Sequence, residues 1–132
     1  MPESPVELAG VLVIRKQKLL LLHRKDENWW EVPGGKVEEE ESPTEAAVRE
    51  AKEEIGVDVE LEKPFYTGEF QKDEKLYMWH GYIASMEDKP EIQEEKFSEK
   101  RWFTVEDLEE KEIAPNLEMI EPALRNILVK NN

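Results

Sequence analysis

The segment GGKVEEEESPTEAAVREAKEEIGV, residues 34–57, carries eight glutamates and frames a helix with explicit start and stop signals. Ser42 is a favourable N-cap, Pro43 suits the first helical position, and Glu45 completes a Ser-x-x-Glu capping box. Gly56 follows the apolar Ile55, as a left-handed C-terminal residue does. The pattern predicts a helix over residues 43–55. Ala47, Ala51 and Ile55 form a narrow apolar stripe on it, small enough for close approach to a sheet. Glu50, Glu53 and Glu54 stand at i, i+3 and i+4, which puts three carboxylates on one face.

Like charges about 5 Å apart repel by roughly 0.8 kcal/mol per pair in bulk water and about 3 kcal/mol at an effective dielectric of 20. An exposed helix tolerates the first figure, whereas a partly buried cleft requires a compensating cation. Oxygen ligands in a chain without cysteine select Mg²⁺ or Mn²⁺ over zinc. Arg49, one turn before Glu53, is placed to hold a carboxylate in a fixed orientation. Spacing alone serves a solvated acidic face and a metal site about equally. The preceding VPGGKV, residues 32–37, supplies two flexible glycines whose carbonyls can turn toward an ion and whose amides can turn toward phosphate. A bare Pro-Gly-Gly is also a common turn.

Helix and glycines together form a longer pattern: Gly35, five residues, Glu41, seven residues, then Arg49-Glu50-Ala51-x-Glu53-Glu54-x-Gly56-Val57. It resembles the signature box of the Nudix hydrolases, Gly-x5-Glu-x7-Arg-Glu-U-x-Glu-Glu-x-Gly-U with U aliphatic. All seven fixed identities are present, and Ala51 is the smallest residue that fits the first U. The flanking LLLLHRKDENWWEVPGGK and the later RWFTVEDL and APNLEMI look like the MutT branch, whose members hydrolyse nucleoside triphosphates.

The resemblance implies an α/β fold, an α/β/α sandwich with a mixed sheet and a loop–helix–loop catalytic motif, in one domain over residues 1–132. It implies Mg²⁺-dependent hydrolysis, with Mn²⁺ as a substitute, of a nucleoside triphosphate to a monophosphate and pyrophosphate. Sanitising oxidised purine nucleotides such as 8-oxo-dGTP is one such role. The implied metal ligands are Gly35, Glu50, Glu53 and Glu54. Glu53, Glu54 and Arg49 take catalytic roles, and Glu38, Glu39 and Glu40 fall at variable, solvated positions. The family often supplies a further ligand or base from a later loop. Glu95 is the expected residue there, with Glu94 and Glu41 as alternatives.

Outside the box, residues 7–14 and 18–24 read as a strand hairpin, residues 57–62 alternate as a half-buried strand, and residues 75–84 and 100–104 are further strands. Residues 105–110 suggest one or two helical turns. Residues 116–131 form an amphipathic helix with Leu117, Ile120, Leu124, Ile127 and Leu128 on one stripe and a kink or restart at Pro122. Residues 85–99 form one long polar loop, expected to be mobile beside a site.

Arg24 and Lys36 are candidates for phosphate contact, and Glu31 for substrate contact, each weighed against an ordinary surface charge. Trp29, Trp30, Trp79 and Tyr77 can stack on a base, although at least two belong in the core. His80 reads as a satisfied interior histidine. Asn116 matches an asparagine that reads the purine in MutT-like relatives; its amide offers a donor and an acceptor, and capping the terminal helix is the alternative role.

The net charge of −14 argues against a nucleic-acid polymer as partner and leaves a small nucleotide bridged by cations. No apolar run is long enough to cross a membrane, and the start of the chain lacks the pattern of a secretory leader, so a cytoplasmic monomer or homodimer is expected. Competing functions are hydrolysis of ADP-ribose, a dinucleoside polyphosphate or another nucleoside diphosphate derivative, and a non-catalytic nucleotide-binding module. No proline follows the box by about fifteen residues, as ADP-ribose hydrolases often have, and retention of every box glutamate disfavours the binding module.

Overall fold

The apolar run of the second predicted strand, four consecutive leucines, is unusual for a sheet with one wet face and signals a strand covered on both sides. The computed structural model describes residues 4–129. In it β1 (Val6–Arg15) turns through Lys16 and Gln17, both at positive φ, into β2 (Lys18–Arg24). Next come β3 (Trp29–Glu31), β4 (Gly34–Lys36), α1 (Pro43–Ile55), β5 (Glu60–Lys72), β6 (Lys75–Ser85), β7 (Phe97–Phe103), α2 (Val105–Glu110) and α3 (Pro115–Val129). The β1–β2 hairpin pairs only at Ile14↔Leu19 and Arg15↔Lys18, then splays. Beyond that point β1 pairs antiparallel with β4 and parallel with β6, while β2 pairs antiparallel with β3 and β7. The sheet is therefore mixed, as expected.

Alternation along the splayed hairpin divides the core into two layers. Ala9, Val11, Val13, Leu20 and Leu22 pack with Ala46, Ala47, Ala51 and Ile55 of α1. Leu12, Leu19 and Leu21 pack on the opposite face with Leu117, Ile120, Leu124 and Leu128 of α3. This is the α/β/α sandwich, and it explains why no leucine of β2 faces water.

Three expectations need correction. The strand expected at 57–62 begins only at Glu60 but runs on to Lys72, where Asp73 and Glu74, both at positive φ, turn it into β6. Such a two-residue turn usually carries glycine or asparagine, and neither is present to mark it. The expected mobile loop is fastened: the Glu91 and Gln93 amides donate to the carbonyls of Ile55 and Glu54, each at 2.9 Å, and Ile92 packs on the core. Residues 97–99 of that loop belong to β7. Finally, α3 continues through Pro122 without a restart, its buried leucines and Ile120 holding it against the sheet, with Ile127 only half-buried. Residues 130 and 131 of the expected helix lie outside the described residues, as do residues 1–3 of the opening read for a leader.

The glycines at 34 and 35 are likewise a strand rather than a turn, and closeness is what requires the first of them. A Cβ on Gly34 would lie 2.4 Å from the Ala9 carbonyl oxygen and 2.7 Å from the Gly10 Cα, both backbone atoms. Gly34→Ala is expected to cost about 1–3 kcal/mol by forcing β4 off β1. Urea unfolding measures this; a variant as stable as the parent would contradict the close approach.

Candidate active site

The helix α1 forms as its caps dictate. Ser42 Oγ accepts from the Glu45 amide at 3.2 Å, Glu45 accepts from the Ser42 amide at 2.9 Å, and Gly56 closes the helix at φ 72°. Three alanines with no exposed surface let it lie close on the sheet. That proximity divides the acidic face. Glu54 is fully buried, the Glu50 side chain is 13% exposed, and Glu53 is 48% exposed. The three carboxylates are neighbours in very different surroundings.

Arg49 organises the outer part of the group. Its Nε and Nη2 donate to the two oxygens of Glu41 at 2.7 and 3.1 Å, its Nη1 reaches Glu53 at 3.2 Å and Glu50 at 3.3 Å, and Nη2 also donates to the Lys36 carbonyl at 2.9 Å. The bond from Arg49 holds the Glu41 carboxyl below its usual range. A carboxylate engaged at both oxygens is poorly placed to accept a proton, which counts against Glu41 as a base. Burial, partly offset by Arg49, raises the Glu50 carboxyl.

Glu54 forms the inner part. Its Oε1 accepts the Gly34 amide at 2.9 Å. Its Oε2 lies 3.3 Å from Lys96 Nζ, within ion-pair range, yet that contact is not aligned as a hydrogen bond and the oxygen is buried without a hydrogen-bond partner. Burial pushes the Glu54 carboxyl up to about 8, against the opposing pull of the Gly34 amide and Lys96. Next to it, a Cβ on Gly35 would fall 2.3 Å from Glu50 Oε2, so a larger residue there would displace that carboxylate.

Among the described residues no three acidic or histidine side chains converge as a ready ligand set, because Arg49 and Lys96 occupy the carboxylates. The donors nonetheless suit a hard divalent cation: all are carboxylate oxygens, and one is an orphaned buried atom.

Glu50, Gly35 and Lys96 border a cleft of about 500 Å³ whose wall also includes Arg24, Glu31, Lys36 and Asn116, whereas Arg49, Glu53 and Glu54 stand behind or beside that wall. Six residues singled out from the sequence thus meet there. Arg24 and Glu31 are not isolated charges, because Arg24 Nη2 donates to the buried Glu31 at 3.0 Å and Trp29 Nε1 donates to it at 2.7 Å. A bulge in the β2–β7 pairing at His23/Arg24 sets Arg24 beside Lys96, the two cations over the Phe97 ring. Asn116 lies inside the first turn of α3, after Pro115, and so is not its N-cap. Trp30 anchors that helix start through bonds to Glu112 and Ala114 at 3.0 and 2.9 Å.

Trp30 and Trp79 are core, Trp79 also reaching the cleft wall that Trp29 and Tyr77 line. His80 is held by Glu7 at 2.6 Å. Glu94 and Glu95 both lie outside the cleft wall; Glu95 is exposed, whereas Glu94 has a buried oxygen 3.4 Å from Lys96, which does line the cleft. Lys72, paired with Glu27 at 2.7 Å, and Phe70 and Lys96 also line the wall and are not marked by any motif in the sequence. The only cue to Lys96 was its place just after the Glu94-Glu95 pair.

The buried acid gives the cation-free protein a pH signature. The folded pKa of Glu54 exceeds the ordinary 4.5, so the fold binds this proton more tightly than the unfolded chain. That contribution is fully present below about pH 4.5 and is lost as pH rises to about 8. In EDTA, Glu54→Gln is expected to gain melting temperature relative to the parent as pH increases across this window. An unchanged difference between pH 5 and 8 would contradict the buried carboxyl.

A family model described as the NUDIX domain matches residues 5–124. The chain is 40% identical over 73 residues to a putative 8-oxo-dGTP diphosphatase of Bacillus subtilis, covering 52% of this chain and 49% of that protein. It is 34% identical over 113 residues to the human diphosphoinositol polyphosphate phosphohydrolase 3-beta, covering 80% and 68%. The chain spans about half the length or less, 40% and 49%, of the first curated relatives it matches. In fold it resembles the crystal structure of a MutT NUDIX hydrolase from Burkholderia pseudomallei, with a TM-score of 0.83, 23% identity and coverage of 91% of this chain and 98% of that one. The chain belongs to the NUDIX family.

Proposed function

We propose that this chain hydrolyses a nucleoside triphosphate to a nucleoside monophosphate and pyrophosphate in the cleft beside α1, with Mg²⁺ as cofactor. The observation that carries this reading is the meeting, in one cleft, of Glu50 with four cations, Arg24, Lys36, Lys72 and Lys96, the last of them 3.3 Å from an orphaned buried oxygen of Glu54 just behind the wall. In a chain of net charge −14, such a cluster suits a polyphosphate. Glu50, Glu53, Glu54 and the Gly35 carbonyl would hold the cation. When bound, it supplies Lewis acidity and offsets charge that develops on the phosphates.

Water bonds to one of the two phosphorus atoms flanking the α–β bridge, that bridging P–O bond breaks, and monophosphate and pyrophosphate separate. A carboxylate takes the proton that water gives up. Glu94 is favoured over Glu95 for this, because its buried oxygen points inward while Glu95 is exposed. Lys36 and Arg24 contact the phosphates, and Arg49 keeps Glu53 in position. Asn116, in the cleft wall and not at the helix cap, pairs with the base edge, and Trp29 and Tyr77 of the same wall offer rings for stacking. A purine fits such an amide bidentately. The diphosphatase similarity supports an oxidised purine such as 8-oxo-dGTP.

The test is a panel of nucleoside triphosphates, ADP-ribose and a dinucleoside polyphosphate, read by pyrophosphate and monophosphate release with Mg²⁺ or EDTA. Turnover of a purine triphosphate only with Mg²⁺ is expected. Glu53→Gln and Glu54→Gln are each expected to lower kcat by orders of magnitude; near-normal turnover in either refutes the assignment. Asn116→Ala is expected to lose purine preference in kcat/KM by roughly 1–3 kcal/mol. Glu94→Gln should alter the pH–rate profile more than Glu95→Gln does, and the reverse order would return the role to Glu95.

A further inference from the structure

Lys96 is placed unlike any other cation of the cleft. Its ammonium lies 3.3 Å from Glu54 Oε2 and 3.4 Å from Glu94 Oε1, and each of those oxygens is buried without a hydrogen-bond partner. One monovalent charge thus stands between two under-satisfied carboxylates, one of them with no exposed surface. Its backbone is fixed, because the Lys96 carbonyl accepts the Lys25 amide at 2.9 Å and Phe97 next to it is buried in β7. The side chain is not: it is 37% exposed and borders the cleft on a flexible four-carbon stem. Arg24 shares the Phe97 ring with it, so a second positive charge already crowds the ammonium.

We propose that Lys96 is a built-in counter-cation, its ammonium standing against the buried Glu54 oxygen that a divalent cation would take, and that on cation binding it moves into the cleft to meet the polyphosphate. This rests on the cation-dependent reading above. Charge explains the exchange. The fully buried Glu54 carboxylate is unfavourable without a cation, and an ammonium and a divalent ion cannot both sit within about 4 Å of the same oxygen without strong repulsion. The ammonium released is then unpaired, at the wall of a cleft suited to phosphates. Cation and polyphosphate binding are thereby linked through one side chain.

The test titrates Mn²⁺ into nucleotide-free protein, followed by electron paramagnetic resonance, for the parent and for Lys96→Gln. A site occupied by its own ammonium about nine-tenths of the time binds a competitor about tenfold more weakly, so Lys96→Gln is expected to bind Mn²⁺ about tenfold more tightly. It should also bind Mg²⁺-pyrophosphate more weakly. Equal or weaker Mn²⁺ affinity in the variant overturns the proposal, whereas absence of a saturable Mn²⁺ site in both proteins overturns the cation reading itself.

A second measurement uses the unmodified chain and does not depend on the variant folding. Amine acetylation mapped by mass spectrometry should speed up at Lys96 when Mg²⁺ is added, relative to the exposed Lys16, and slow again with pyrophosphate. Labelling of Lys96 that ignores Mg²⁺ contradicts the exchange.

Discussion

The hydrogen bond from the Gly34 amide to Glu54 Oε1 is the contact on which the site depends. It joins the acidic helix to β4, and β4 is joined to β1 at the centre of the sheet. A carboxylate with no exposed surface is costly to bury, and a single amide does not compensate it. The remainder falls to whatever positive charge reaches Oε2. Small residues are needed on both sides of this contact: alanines at 46, 47 and 51 bring α1 down, and glycines at 34 and 35 leave room for the backbone of β1 and for Glu50.

The same helix shows how far sequence reaches. Its limits at Pro43 and Ile55 were readable because caps act locally, through hydrogen bonds within three or four residues. The signature spacing pointed to the family for a similar reason. What spacing could not show was the division of the glutamates. At about 100° per residue, Glu53 and Glu54 diverge by more than a quarter turn, and only the sheet decides which one is buried. Likewise, the turn at Asp73-Glu74 carries no glycine, so β5 was read as half its length or less.

The loop before β7 shows the opposite limit. Its composition reads as a solvated, mobile stretch, but two backbone hydrogen bonds to the end of α1 and the half-buried Ile92 packed on the core fix its register. That register, not the sequence, turns Glu94 inward and leaves Glu95 in solvent. It also delivers Lys96 to Glu54, across more than forty residues of chain. Pairings of that kind depend on tertiary docking and leave no periodicity to read. Asn116 is intermediate: its position in the chain was legible, while its separation from the cap depended on Pro115 opening the helix.

The central claim is that the buried oxygen of Glu54 is kept for a divalent cation that works on a polyphosphate. Anomalous diffraction from crystals grown with Mn²⁺ and a non-hydrolysable purine triphosphate analogue tests it most directly. The account predicts a manganese peak bonded to Glu54 Oε2, with the phosphates lying between Lys36 and Arg24. A peak away from α1, or a nucleotide bound outside this cleft, would contradict it.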